Sequence, residues 1–184
     1  MPDDPENLVS LAAHERVLDS RLAAVRMKRG LTQESPEYRT IFADYAAIHR
    51  EYVEMAVDGN EEALKRALFL QWYCVTEPWF LCGLLDLDAL AERRLLMLVD
   101  TLCASKRLDK ELSWMLSYYY LIADYYFQHE GQYPALVAHC QAQPHHDHIE
   151  QPIGFVSDRR GQMGDYWKSV FKSSSKKHRE QISK

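Results

Sequence analysis

The sequence is poor in the residues that interrupt regular structure. Its 184 residues include only seven glycines and seven prolines. An all-β sandwich normally needs more turn residues than this, so the scarcity favours helices. The length suits one domain, and a hydrophobic content of 47% is close to that of globular proteins. A chain of this size can bury a sizeable core without disulfides or metals.

Long apolar runs are also missing. The richest stretch, residues 68–85, is interrupted by polar residues, a proline and a glycine. A membrane-spanning helix needs about 18 apolar residues in a row, so none is predicted. The first 20 residues are acidic and lack the apolar core of a signal peptide. The four cysteines form no C-x-x-C pair. We therefore expect a cytoplasmic protein with free, buried thiols.

The common catalytic motifs are absent. The sequence has no G-x-x-x-x-G-K-S/T or G-x-G-x-x-G loop, no H-E-x-x-H and no G-x-S-x-G. No glutamate stands three residues before a histidine, as the helical di-iron proteins require. These absences argue against the common nucleotide-dependent, metalloprotease, hydrolase and di-iron classes. We expect no cofactor and favour a protein without enzymatic activity.

What is present is a series of helical patterns. Apolar residues recur at three- and four-residue steps, and capping residues and glycines mark where the predicted helices begin and end. The predicted helices cover about 5–29, 36–58, 61–77, 87–105, 110–130 and 134–141. Their short connections imply antiparallel neighbours. No repeat recurs in register, which makes a helical solenoid the less favoured alternative. The fold class predicted is all-α: a compact, mostly antiparallel bundle of five to six helices with a basic C-terminal tail.

Charge divides the chain into two parts. Residues 1–143 carry 14 Lys and Arg against 22 Asp and Glu, a net charge of −8, and are predicted to form the bundle domain. Residues 144–184 carry 8 against 5, a net charge of +3, and are predicted to be a linker containing His, Pro and Gly, followed by a basic tail. Within the tail we expect one or two amphipathic turns at 166–171. An acidic body makes nucleic acid an unsuitable partner for the bundle.

One cluster of polar residues is set among aromatic side chains. A buried polar group must be hydrogen-bonded, and a buried carboxylate has a perturbed pKa. The simpler interpretation is an aromatic core with satisfied polar groups. The alternative is a ligand pocket between the third and fifth predicted helices, with the two carboxylates as acid/base candidates. Its candidate residues are Gln71, Glu77, Trp79, Trp114, Tyr118 and Asp124.

A second cluster holds metal-ligand residue types. His145, His146 and His148 lie between two prolines, with Cys140 and Glu150 nearby. Imidazole, thiolate and carboxylate are the groups that zinc prefers. The simpler interpretation is a solvated, histidine-rich loop, and the alternative is a site for a divalent metal such as zinc.

The aromatic residues lead to the function we favour. Trp and Tyr anchor many protein interfaces, and the chain has more of them than a small core needs. We therefore favour a non-catalytic protein that binds a protein partner, with a twofold homodimer as the simplest version. A small-ligand-binding or enzymatic bundle, and a metal-binding protein, remain as alternatives.

Overall fold

The computed structural model describes residues 5–128, 131–142 and 159–182, with side chains for 6–128, 131–142 and 159–172. Regular structure within these ranges is helical throughout, which confirms the all-α prediction. Eight helices occur there, more than the five or six expected, because α4 and α8 add to the predicted set. They are α1 (Pro5–Arg26), α2 (Pro36–Val57), α3 (Glu61–Thr76), α4 (Trp79–Cys82), α5 (Ala89–Ala104), α6 (Lys110–Phe127), α7 (Pro134–Ala142) and α8 (Gly161–Ile182).

Side-chain caps fix the starts of three helices. Asn60, Asp88 and Asp109 precede α3, α5 and α6, and each accepts backbone N–H hydrogen bonds of 2.6–3.0 Å from the first turn. A first-turn amide has no partner within its own helix, so these caps stabilise the helix. Ser35 differs: it precedes α2, but its hydroxyl accepts a hydrogen bond from the backbone of Thr32 instead.

Helix α3 runs through the centre of the bundle. Its ten residues 63–72 are all buried, because α2, α5, α6 and α8 pack around it. This position buries two cations, Lys65 and Arg66, which must then be paired. The largest fully buried side chains in the described ranges are all aromatic or aliphatic: Trp72, Trp167, Tyr45, Tyr52, Tyr119, Phe69, Phe127, Leu18, Leu22, Ile41 and Ile48.

Helix α8 contributes to this core. Met163 and Trp167 are 1% and 0% exposed, and α8 packs against α1 and α3. The sequence predicted only one or two turns here, within a basic tail. Apolar residues recur over a single short stretch before the polar end begins, so the pattern understates the length of the helix. Residues 160–171 are therefore part of the packed bundle.

Helix α6 is kinked near its end. Ala123, which is fully buried, has φ −142° and ψ 57°, outside the helical region. The helix ends at Phe127, earlier than the sequence predicted. No proline lies in this segment, so the kink was not visible in the sequence.

Across the described ranges, no helix combines the length and apolar character needed to cross a bilayer.

Candidate functional site

Two of the three aromatic residues predicted as pocket walls, Trp114 and Tyr118, belong to a packed cluster of rings. Trp114 and Tyr118 lie together on α6, with ring centroids 5.4 Å apart. Trp167 of α8 packs edge-on against both, at 5.0 Å and 4.9 Å. On the other side, Trp72 of α3 stacks on Tyr119 at 4.4 Å. Rings therefore occupy the space between α3 and α6 where a ligand cavity was considered.

Gln71 is held in a network of hydrogen bonds. It is 0% exposed, and its Oε1 lies 3.3 Å from Nε2 of His49. Its Nε2 donates to the hydroxyl of Tyr126 and to the carbonyl oxygen of Glu92. Burial lowers the pKa of His49 to about 4, so this histidine is neutral at neutral pH. The amide of Gln71 joins α2, α5 and α6 to α3.

The remaining candidates lie in different places. Trp79 packs edge-on against Tyr38 of α2, with centroids 4.9 Å apart. Asp124 is exposed on α6 and accepts hydrogen bonds from the backbone of Tyr125 and the side chain of Gln128. Glu77 instead lines a surface cleft, to which Asp124 does not contribute. The structure thus brings Trp114 and Tyr118 together and places the two carboxylates in separate environments.

The cleft that contains Glu77 is lined mainly by polar and charged side chains. It lies between α1, the end of α3, α4 and α8 and has a volume of about 390 Å³. Four carboxylates line it, together with one arginine, two tyrosines and three further residues. In chain order these are Glu15, Arg16, Asp19, Tyr73, Glu77, Leu81, Gln162, Asp165, Tyr166 and Ser169. We call this site the acidic cleft.

Glu15 forms the buried wall of the acidic cleft. It is 2% exposed, and Tyr52 donates a hydrogen bond of 2.6 Å to Oε1. The backbone N–H of Gln162 donates one of 2.8 Å to Oε2. Burial raises the pKa of Glu15 to about 7, against the opposing effects of these two bonds and of Arg66 and Arg16. Near neutral pH the group is therefore divided between its acid and carboxylate forms.

The other three carboxylates, Asp19, Glu77 and Asp165, form no ion pair within the described ranges. Partial burial raises the pKa of Asp19, the negative charge of Asp165 raises it further, and Arg26 opposes both effects. Glu77 and Asp19 contribute to a raised pKa of about 12 at Tyr73, whose main cause is burial. With four carboxylates and one arginine in its lining, the cleft is predominantly acidic.

A buried charge network holds α8 against this site. Arg160 precedes α8 and bonds to Glu62 of α3 and Glu111 of α6. Arg66 of α3 also bonds to Glu62, and to the carbonyl oxygen of Arg159 at 3.0 Å. These contacts fix the start of α8, where the backbone N–H of Gln162 donates to Glu15.

The tyrosine rings complete the wall of the cleft. Tyr73 and Tyr166 lie edge-to-face with centroids 5.4 Å apart, and the hydroxyl of Tyr166 is 2.9 Å from that of Tyr118. Aromatic faces attract organic cations, and carboxylates bind them directly. The combination suits an ammonium or guanidinium group.

A metal ion is a poorer match. Within the residues that the structure describes, no three His, Cys, Asp or Glu side chains are grouped to hold one. The predicted metal ligands His145, His146 and His148 lie outside the described residues, so the zinc site stays a prediction.

The cysteines do not supply a nucleophile. All four are free, and burial raises the pKa of Cys74, Cys103 and Cys140 to about 12 and that of Cys82 to about 11. At neutral pH they remain thiols, which react slowly.

Comparison of the chain with family models, with curated proteins and with solved structures finds no match.

Most of the acidic cleft was not predicted. Of its four carboxylates only Glu77 was a candidate, and Glu15, Asp19 and Asp165 were not singled out. The one usable signal was a glutamate on a buried helical stripe, because such a residue must find polar partners.

Proposed function

We propose that the protein is a non-catalytic binding protein that recognises a basic partner protein, whose Lys or Arg side chain enters the acidic cleft. The observation that carries this proposal is the set of three carboxylates, Asp19, Glu77 and Asp165, that line one cleft and form no ion pair within the described ranges. Like charges held close together are destabilising, and an entering cation relieves that repulsion.

Charge on the wider surface supports a basic partner. Residues 1–143 carry a net charge of −8, so the field of the body attracts cations over distances near the Debye length. Such a field accelerates the encounter with a basic protein and repels an acidic one. The cleft then provides the local contacts, and Tyr73 and Tyr166 provide aromatic faces for a cationic group.

Apolar residues at the rim favour a protein over a free amine. Leu81 lines the cleft and is 37% exposed, and its neighbour Phe80 on α4 is 42% exposed. A small amine would leave these side chains in water. A protein partner would cover them, as protein interfaces cover aromatic and aliphatic anchors.

Isothermal titration calorimetry with model peptides at low salt tests whether the cleft prefers a basic partner. We expect a hexa-arginine peptide to bind, a hexaglutamate peptide not to bind, and agmatine to bind much more weakly than hexa-arginine. Glu77→Gln and Asp165→Asn remove charge at nearly constant shape, and each is expected to weaken hexa-arginine binding by about five- to tenfold.

The matched control is Glu51→Gln. Glu51 is exposed on α2 and lies outside the cleft, so its loss lowers the net negative charge equally but changes affinity by less than about twofold. Equal weakening by all three variants would mean that only overall charge matters, and would overturn the cleft assignment. Agmatine binding as tightly as the peptide would assign the cleft to a small amine.

The basic C-terminal segment of a second copy of this chain is one further occupant to test. Residues 144–184 carry a net charge of +3. Light scattering across a range of salt concentrations measures this directly: a dimer that dissociates in salt, and is absent in Glu77→Gln, would identify self-association through the cleft.

A further inference from the structure

The carboxylate of Glu15 sits where the acidic cleft meets the buried core. Tyr52 of α2 and the backbone N–H of Gln162 at the start of α8 occupy one oxygen each. Water has almost no access, since the residue is 2% exposed. A group in this position has little solvent to stabilise its charge, so its ionisation depends on the charges around it.

We propose that a cation entering the acidic cleft takes the place of the proton on Glu15, so that occupancy of the cleft and ionisation of Glu15 form one linked equilibrium. This inference rests on the function proposed above. In the exchange, the O–H bond of the Glu15 carboxylic acid breaks and its proton passes to solvent. The carboxylate that remains balances the charge of the entering ammonium or guanidinium group.

The charges facing Glu15 explain why a cation has this effect. Arg66 of α3 and Arg16 of α1 already favour the carboxylate, but burial outweighs them and holds the pKa of Glu15 near 7. The neighbouring tyrosines, Tyr45 and Tyr52 of α2, stay neutral because their own pKa values are raised by burial and by Glu15.

The other acidic groups on the cleft supply the attraction for the cation. Asp19 of α1, Glu77 at the end of α3 and Asp165 of α8 line the same cleft as Glu15. A cation held by these carboxylates adds to the effect of Arg66 and Arg16 and lowers the pKa of Glu15.

The consequence is a binding affinity that depends on pH. Below pH 7 the cation must displace a proton, and above pH 7 it need not. We expect the affinity for hexa-arginine to rise by up to about tenfold per pH unit from pH 5.5 to 7 and to level off above it. Arginine keeps its charge over this range, so the peptide contributes no protonation of its own.

Calorimetry of the full chain in two buffers with different heats of ionisation tests the exchange. At pH 6 we expect about one proton to be released for each hexa-arginine bound. The Glu15→Gln variant has no ionisable group at this position. We expect it to bind the peptide without proton release from residue 15 and with an affinity that depends little on pH. Circular dichroism checks that this variant is folded.

Asp19→Asn is the matched control. It removes a neighbouring carboxylate whose pKa is also raised, so it is expected to weaken binding and to keep the proton release. Proton release that persists in Glu15→Gln and disappears in Asp19→Asn would overturn the assignment to Glu15.

A measurement on the unmodified protein tests the same exchange without any substitution that could disturb folding. The ¹³C resonance of the Glu15 carboxyl group is expected to titrate near pH 7 in the free protein and at lower pH with hexa-arginine bound. Binding without any shift in that titration would overturn this inference and leave the proposed function intact. Absence of peptide binding at every pH would overturn both.

Discussion

The carboxylate of Glu15 on α1 accepts a hydrogen bond of 2.6 Å from the hydroxyl of Tyr52 on α2, in a place that is closed to water. The pair joins two helices, and it leaves an ionisable group in the core with a pKa of about 7. Folding and protonation are therefore linked at this residue.

The first prediction concerns stability against pH. The pKa of Glu15 is higher in the folded protein, about 7, than its ordinary value of 4.5, so the folded state binds this proton more tightly. The resulting stabilisation is complete below pH 4.5 and is lost as pH rises through 7. We expect the loss to be about 3 kcal/mol.

Urea denaturation at pH 4.5 and pH 8 measures this, with Glu15→Gln as the reference. Contributions from other groups, including His49, are present in both proteins and largely cancel in the comparison. Parallel stability profiles for the two proteins would show that Glu15 does not titrate as described.

The second prediction concerns the buried charge network. Arg160→Ala leaves the half-buried Glu62 and Glu111 without one of their cations, and we expect a loss of about 3 kcal/mol in the free energy of unfolding. Hydrogen exchange should also become faster at residues 163–171, because the start of α8 loses its attachment. Arg21→Ala is the control: its ion pair with Asp44 is largely exposed, and its loss should cost less than about 1 kcal/mol.

The third prediction compares two glycines with similar backbone angles. Gly161 has φ +59° and Gly131 has φ +73°, a region that disfavours other residues. A Cβ at Gly161 would lie 2.5 Å from the oxygens of Glu15, whereas one at Gly131 meets nothing within 4 Å. We expect Gly131→Ala to cost about 1 kcal/mol and Gly161→Ala clearly more, because only the second displaces a buried carboxylate.

Thermal and urea denaturation of both variants give the comparison. Equal losses in the free energy of unfolding would mean that backbone strain alone causes the destabilisation in both variants. In that case α8 would not pack as closely on Glu15 as the distances indicate.

Much of the fold was predictable because its signals are local. Asn60, Asp88 and Asp109 cap α3, α5 and α6, and the apolar stripe of α2 is buried where its period indicates. Capping and periodicity act within one or two turns, so one sequence contains all the information they need.

The acidic cleft was not predictable because its members are distant in the chain. Glu15 and Gln162 are 147 residues apart, and nothing near either residue indicates the other. The candidate pocket was inferred instead from residues close together in sequence. In the structure Asp124 lies on an exposed face of α6, and Trp114 and Tyr118 pack against Trp167. Periodicity shows which face of a helix is apolar but does not show which neighbour covers it.

The contact between Glu15 and the start of α8 also bears on how the chain is made. A ribosome releases residues in order, so Glu15 emerges 147 residues before Gln162. The carboxylate of Glu15 accepts its hydrogen bond from the backbone N–H of Gln162. Until then Glu15 must be hydrated, and the place of Trp167 in the core stays unfilled. Closing so long a loop is entropically costly, and it cannot occur before α8 has emerged. Until then a growing chain exposes the apolar surface that Trp167 covers in the folded protein.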